Sequence, residues 1–174
     1  PRGGWQWGAA FDLLHDSYYD TFNLTQVRSE TSYIFAGGLR ELGYFGMYST
    51  NTDRIQRLGF GFEPTDLFAV FYRRHFSGGG NGRLWAGFTG AGDALLGGDF
   101  HVPLGSGRWS LVNRFNYLVP KQGTNLTGIR EESWGISMQL VWYPAQPARS
   151  AERSPFRALF DVADNTLFMV DRAP

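Results

Sequence analysis

The chain has 174 residues, a formal net charge of +0 from 16 basic and 16 acidic side chains, and no cysteine. Balanced charge argues against a nucleic-acid partner, and without cysteine the chain has neither disulfides nor thiolate metal sites. Its longest uninterrupted apolar stretch, Leu67 to Tyr72, is far shorter than the roughly 20 residues that a transmembrane helix needs. A membrane strand needs an apolar residue only at every second position, so the mean hydropathy of -0.28 excludes helical spans but not strands.

Segments with alternating apolar and polar residues recur along the chain, separated by turn-forming residues, which is typical of an antiparallel all-β fold. In the first segment, Trp5 and Trp7 begin an apolar face, and in the second, near Thr25 to Phe35, the polar face carries Arg28 and Glu30. Further strands are predicted at Leu42 to Ser49, Leu58 to Phe62, Leu67 to His75, Arg83 to Thr89, Leu95 to Val102, Arg108 to Leu118 and Trp134 to Trp142.

The last of these strands has the most informative pattern. One of its faces carries, in order, Trp134, Ile136, Met138, Leu140 and Trp142. At about 3.4 Å per residue and a tilt near 40°, the two indoles would lie roughly 20 Å apart along a membrane normal, close to the separation of two aromatic girdles. We therefore predict that this face contacts lipid as a membrane belt, together with Trp5 and Trp7.

Polar side chains within the predicted strands are a second argument for a barrel, and we predict that they line its interior. They are Arg28, Glu30, Arg74, Arg114 and Gln139. In a barrel of about 8 to 10 strands, such side chains can pair across an interior that is largely filled. The outer surface of a two-sheet β-sandwich or jelly roll would also accommodate them, so that fold remains the alternative.

The sequence predicts one antiparallel meander that closes into a β-barrel over residues 1–143. A connector rich in Pro, Ala and Arg follows over 144–154, and a tail over 155–174 has a hairpin pattern around Ala163-Asp164-Asn165. Membrane barrels alternate short and long loops. The first five predicted connections roughly follow this alternation, but it fails after Gly90, so either a strand is miscounted there or the sheet is not a simple up-and-down barrel.

Patterns for catalysis or metal binding are weak throughout the sequence. His15, Asp16 and Asp20 fall in one predicted loop but lack a recognised ligand spacing. Glu131 and Glu132 are neighbours, so in a strand they point to opposite faces and cannot form a glycosidase pair. We predict no catalytic residue, no metal and no cofactor, and a protein that is not an enzyme.

Four stretches resemble the strands and turns of uncharacterised bacterial outer-membrane, porin-like β-barrel families: Trp5 to Leu14, Tyr44 to Thr50, Phe100 to Pro120 and Glu132 to Pro144. The resemblance implies a non-enzymatic barrel in the bacterial outer membrane, with a structural or narrow transport role. Its surroundings would be a lipid bilayer, self-association into a homo-oligomer is expected, and the solute stays open. The alternative function is a secreted or cell-surface β-sandwich that binds carbohydrate or assembles into filaments.

Overall fold

The computed structural model describes residues 3–17, 21–55, 60–121, 132–153 and 168–173. Its strands, in chain order, are β1 (Gly4–Asp16), β2 (Phe22–Phe35), β3 (Arg40–Ser49), β4 (Asp53–Ile55), β5 (Phe60–Pro64), β6 (Leu67–His75), β7 (Asn81–Thr89), β8 (Ala94–Pro103), β9 (Trp109–Val119), β10 (Ser133–Trp142) and β11 (Val170–Ala173). A 3-10 turn at Ala36–Gly38 and the helix α1 (Ala148–Arg153) complete the described elements. Among these residues, no helix is long and apolar enough to cross a membrane.

Eight strands form one antiparallel sheet in the order β1-β2-β3-β6-β7-β8-β9-β10. The sheet curls into a half-barrel, so the all-β antiparallel meander predicted from the sequence is confirmed. Tight connections hold neighbouring strands in register. Between β2 and β3, for example, Gly37 and Gly38 adopt φ angles of 70° and 90°, which glycine reaches without a Cβ clash.

A second sheet explains why the predicted loop pattern failed. β4 and β5 pair within the connection between β3 and β6, and β11 adds to β5, giving a three-stranded sheet in the order β11-β5-β4. The prediction that Leu58 to Phe62 forms a strand of the main sheet is therefore wrong, since β5 belongs to this smaller sheet. Counting it as a barrel strand reversed the assumed direction of every later strand.

The corrected strand count separates the connections of the main sheet into two groups. Residues 36–39, 76–80 and 104–108 lie at what we call the turn end, and all three connections are short. The connections from β1 to β2, β3 to β6, β7 to β8 and β9 to β10 begin and end at the opposite, loop end, and two of them are the longest of the main sheet. The short exception at 90–93 is a tight turn, in which the amide N of Thr89 donates to the carbonyl O of Asp93 at 2.9 Å.

The end of the chain returns to the loop end of the main sheet. The amide N of Thr65 donates to the carbonyl O of Met169 at 2.9 Å, and Met169 packs against the buried core. The helix α1 occupies much of the predicted connector, where Ala148 is fully buried and its amide N donates to the carbonyl O of Gly107. The hairpin predicted around Ala163-Asp164-Asn165 lies outside the described residues.

The apolar core lies on one face of the main sheet, in its loop-end half. This apolar cluster consists of Phe45, Met47, Leu67, Ala69, Phe71, Trp85 and Leu95, with Leu118 and Met169 packed against it. The rings of Phe45 and Trp85 meet edge to face, with 5.7 Å between their centroids. Because β3 and β7 are separated by β6, this contact requires the sheet to curl toward this face, which we call the inner face.

Candidate functional site

The outer face of the main sheet, opposite the apolar cluster, is covered with exposed apolar side chains. Trp5 and Trp7 are 76% and 79% exposed, and Met138 is 70% exposed. The other large apolar side chains on this face include Phe11, Leu13, Tyr33, Leu42, Val70, Tyr72, Leu84, Phe88, Leu96, Phe100, Trp109, Phe115, Trp134, Ile136, Leu140 and Trp142. Monomeric soluble proteins rarely expose contiguous apolar patches of more than a few hundred Å². So many exposed large apolar side chains on one face are unusual for a monomeric soluble protein.

All seven residues that the sequence assigned to a membrane belt lie on the outer face and are exposed: Trp5, Trp7, Trp134, Ile136, Met138, Leu140 and Trp142. Strand alternation explains this, because every second residue of β1 and β10 points the same way. The alternation also holds in the central strands, whose outer-face residues the sequence analysis did not assign.

Aromatic side chains concentrate near both ends of the outer face. Toward the turn end, Trp5 contacts Tyr33 at 5.3 Å between ring centroids, and Trp109 lies 6.3 Å from Trp142. Toward the loop end, Phe68 lies 5.5 Å from Tyr48 and 5.4 Å from Phe88. These pairs join neighbouring strands, so the sequence of any one strand does not reveal them.

The turn-end half of the inner face holds a network of buried charges, which we call the ion-pair network: Glu30, Glu41, Arg73, Arg83 and Asp99. Arg73 donates to Glu41 at 2.9 Å and to Glu30 at 3.4 Å. Arg83 donates to the other oxygen of Glu30 at 3.3 Å and to Asp99 at 2.7 Å. All five side chains are at most 5% exposed. The network thus ties β2, β3, β6, β7 and β8 together.

Further polar side chains extend this network to the edge strand β1. The amide of Gln6 donates to both Ser32 and Glu41 at 2.8 Å, and His75 lies 3.3 Å from Glu41. Another pair joins the first two strands, where Arg28 donates to Asp12 at 2.7 Å. Pairing of this kind is what buried ionic side chains require, since an isolated buried charge costs several kcal/mol.

Two of the arginines also contact the apolar cluster. The guanidinium of Arg73 lies 5.0 Å from the ring centroid of Phe71, and that of Arg83 lies 5.4 Å from the ring centroid of Phe45. At these distances a cation is attracted by the face of an aromatic ring. The charged and apolar halves of the inner face are therefore in direct contact.

The structure corrects one of the residues predicted to line the interior. Arg28, Glu30 and Arg114 lie on the inner face and are buried, and Gln139 lies on the same face but is exposed at the edge strand β10. Arg74 is exposed on the outer face, and the buried arginine is its neighbour Arg73.

The sequence analysis missed four of the five residues of the ion-pair network: Glu41, Arg73, Arg83 and Asp99. Each lies at an alternate position of a strand whose neighbour supplies an opposite charge. This regularity becomes visible in the sequence only when the register between strands is known.

Of the loop cluster considered from the sequence, His15 and Asp16 lie at the end of β1. His15 hydrogen-bonds Asn23 through its Nδ1 at 2.7 Å, while Asp20 lies outside the described residues. Within the described part of the chain, no three His, Asp or Glu side chains are arranged to hold a metal ion.

Among the described residues, these features define an all-β protein with a curled sheet whose outer face is apolar and exposed and whose inner face combines buried ion pairs with an apolar cluster. A model of DUF6666, a family of unknown function, matches residues 1–170, and the chain belongs to that family. Neither a curated protein nor a solved structure matches the chain.

Proposed function

We propose that this protein is a non-enzymatic, porin-like β-barrel of the bacterial outer membrane. The observation that carries the proposal is the inversion of the two faces: large apolar side chains are exposed outside, and paired charges are buried inside. A soluble fold favours the opposite distribution. A barrel in lipid needs an apolar outer surface and tolerates a polar interior.

Closure of the sheet is part of this proposal. The edge strands β1 and β10 are the first and last of eight antiparallel strands, so they run in opposite directions and have the relative orientation that an antiparallel seam needs. The contact between Arg83 on β7 and Glu30 on β2 supports a narrow radius. Closure would also satisfy the backbone groups of both edges, which lipid cannot do.

The filled interior favours a structural role over free passage of solutes. A barrel of eight strands has an interior just wide enough for its own side chains. On the inner face of the sheet, the ion-pair network lies in the turn-end half and the apolar cluster in the loop-end half, which supports a largely occupied interior. Any transport would therefore be narrow and would require the network to rearrange. We also propose that copies of the protein associate in the membrane through the apolar outer face.

Fractionation of cells that express the full chain tests the proposal. We expect the protein in the outer-membrane fraction, soluble only with detergent, and we expect it to migrate differently on a gel before and after heating. A closed barrel resists the gel detergent until it is heated, which is the reason for the mobility shift. Recovery in the aqueous phase without detergent, together with unchanged mobility on heating, would show that the proposal is wrong.

A further inference from the structure

Two buried polar atoms lie on neighbouring strands of the inner face: the indole Nε1 of Trp85 on β7 and the carboxylate Oδ1 of Asp99 on β8. Among the described residues, neither atom has a hydrogen-bond partner. Trp85 is 4% exposed and Asp99 is fully buried. Buried polar side-chain atoms nearly always have a partner, and the N–H of a buried tryptophan usually finds one. Leaving both atoms unpaired would cost the free energy of their desolvation.

The strand register brings the two side chains close together. Trp85 lies opposite Gly97, and Asp99 is two residues further along β8, so the two side chains are diagonal neighbours on one face. Such neighbours are about 7–8 Å apart between their Cα atoms. A Cβ atom on Gly97 would clash with Cζ2 and Cε2 of the Trp85 ring, so the ring leans over β8. Because Nε1 is bonded to Cε2, the unpaired donor lies near the strand that carries the unpaired acceptor.

Other contacts hold both side chains in place. The second carboxylate oxygen of Asp99, Oδ2, accepts a hydrogen bond from Nε of Arg83 at 2.7 Å. The ring of Trp85 meets the ring of Phe45 edge to face, with 5.7 Å between their centroids. Neither side chain can therefore turn to another partner without losing such a contact. One atom is a donor and the other an acceptor, so a single group that both accepts and donates satisfies the two together.

We propose that one water molecule is bound between β7 and β8, where it accepts a hydrogen bond from the Trp85 indole N–H and donates one to Oδ1 of Asp99. Two hydrogen bonds of about 2.9 Å each span roughly 5–6 Å, which suits side chains that are diagonal neighbours. Buried waters characteristically bind otherwise unsatisfied polar groups in this way. This inference goes beyond the membrane proposal, because it depends only on the inner face of β7 and β8.

A cavity of about 140 Å³ lies next to the proposed water site. Arg114 and Asn116 of β9 are among the residues that line it. In the register, Arg114 lies opposite Asp99, and Asn116 lies opposite Gly97. At roughly 30 Å³ for each water molecule, the cavity is large enough to supply the site. The bound water connects the ion-pair network, through Asp99, with the apolar cluster, through Trp85.

Nuclear Overhauser transfer from water to the indole protons of the ¹⁵N-labelled full-length protein in detergent micelles tests the proposal. The chain has six tryptophans, and the indole signal that disappears in Trp85→Phe belongs to Trp85. We expect a cross-peak between water and this proton, with the rotating-frame sign of dipolar transfer and not that of chemical exchange. The backbone amide of Phe71, in the apolar cluster, is the internal reference and should show none. Absence of the cross-peak from the Trp85 indole would overturn the proposal.

A variant without the acceptor tests whether the water also binds Asp99. Asp99→Ala should abolish the cross-peak. Asp12→Ala is the matched control and should leave it unchanged, because it also removes an inner-face carboxylate that is paired with an arginine, Arg28. An unchanged cross-peak in Asp99→Ala, or its loss in both variants, would overturn the bridge.

A crystal structure of the unaltered protein decides the same question if Asp99→Ala does not fold. We expect one ordered water within about 3.2 Å of both Nε1 of Trp85 and Oδ1 of Asp99. A direct contact between these two atoms, or no ordered water between them, would show that the proposal is wrong.

Discussion

The two halves of the inner face are stabilised in different ways. In the loop-end half, Phe45, Leu67 and Leu95 are stabilised by contact area, so the energy is spread over many small contacts. In the turn-end half, the side chains of Glu41 and Asp99 are fully buried. The cost of burying these two charges is offset by ion pairs with particular arginines, Arg73 and Arg83. Removing one methyl group from the loop-end half should lower the free energy of unfolding only slightly. Removing one charge from the turn-end half leaves a buried group of opposite charge without its partner.

The largest effect should come from removing an arginine that serves two carboxylates. In Arg83→Met the apolar bulk is kept, but Glu30 and Asp99 lose a donor at buried positions. Breaking a buried ion pair in this way costs about 3–5 kcal/mol, so we expect the free energy of unfolding to fall by about 4 kcal/mol. Urea unfolding of the protein in detergent micelles measures this. Arg74→Met makes the same chemical change at an exposed position and should cost less than about 0.5 kcal/mol; equal losses would contradict the role assigned to the network.

A somewhat smaller loss is expected in the apolar half. Leu67 is fully buried in the apolar cluster, and Leu67→Ala should lower the free energy of unfolding by about 3 kcal/mol through lost burial and the cavity left behind. Leu96→Ala, on the outer face, is the control and should cost much less, because Leu96 is 47% exposed. Similar losses at both sites would mean that the outer face is as well packed as the inner one.

The positions of the eight main-sheet strands followed from the sequence, whereas the assignment of a face failed where the pattern was ambiguous. β6 has the predicted bounds, because a continuous apolar run ends at charged residues. Its two consecutive arginines, Arg73 and Arg74, fit either phase of the alternation. Leu67 and Phe71 are buried on the inner face, and Arg73 lies on the same face because it is an even number of residues away from both.

The ion-pair network could not be predicted from sequence patterns, for a different reason. Glu30 and Arg83 are separated by the strands β3 and β6, so their contact depends on register and on curling of the sheet. Neither property is encoded in the period of a single strand. By contrast, the outer-face residues of β10 were predictable, because one strand contains the whole pattern from Trp134 to Trp142.

The effect of a charge placed on the outer face should depend on whether lipid or water surrounds that face. Met138 lies on the outer face midway along β10, so Met138→Arg would place a charge near the centre of a bilayer. In lipid vesicles we expect this to lower the free energy of unfolding by about 2–4 kcal/mol. Trp142→Arg, at the end of the same strand, should cost less than Met138→Arg, because the penalty falls toward the interface. No dependence on depth would contradict a membrane position for this face.

The smallest expected loss of unfolding free energy comes from the hydrogen bonds that connect the ion-pair network to the edge strand β1. Gln6 is the residue of β1 that reaches Glu41, and its amide also donates to Ser32, each at 2.8 Å. Gln6→Ala removes two hydrogen bonds but no charge, and Arg73 still pairs with Glu41, so the expected loss is about 1–2 kcal/mol. Hydrogen exchange should show where the loss falls, with faster exchange in β1 and unchanged exchange in β6. Equal acceleration in both strands would mean that Gln6 supports the whole network, and that the charged half depends on the edge strand as much as on its own ion pairs.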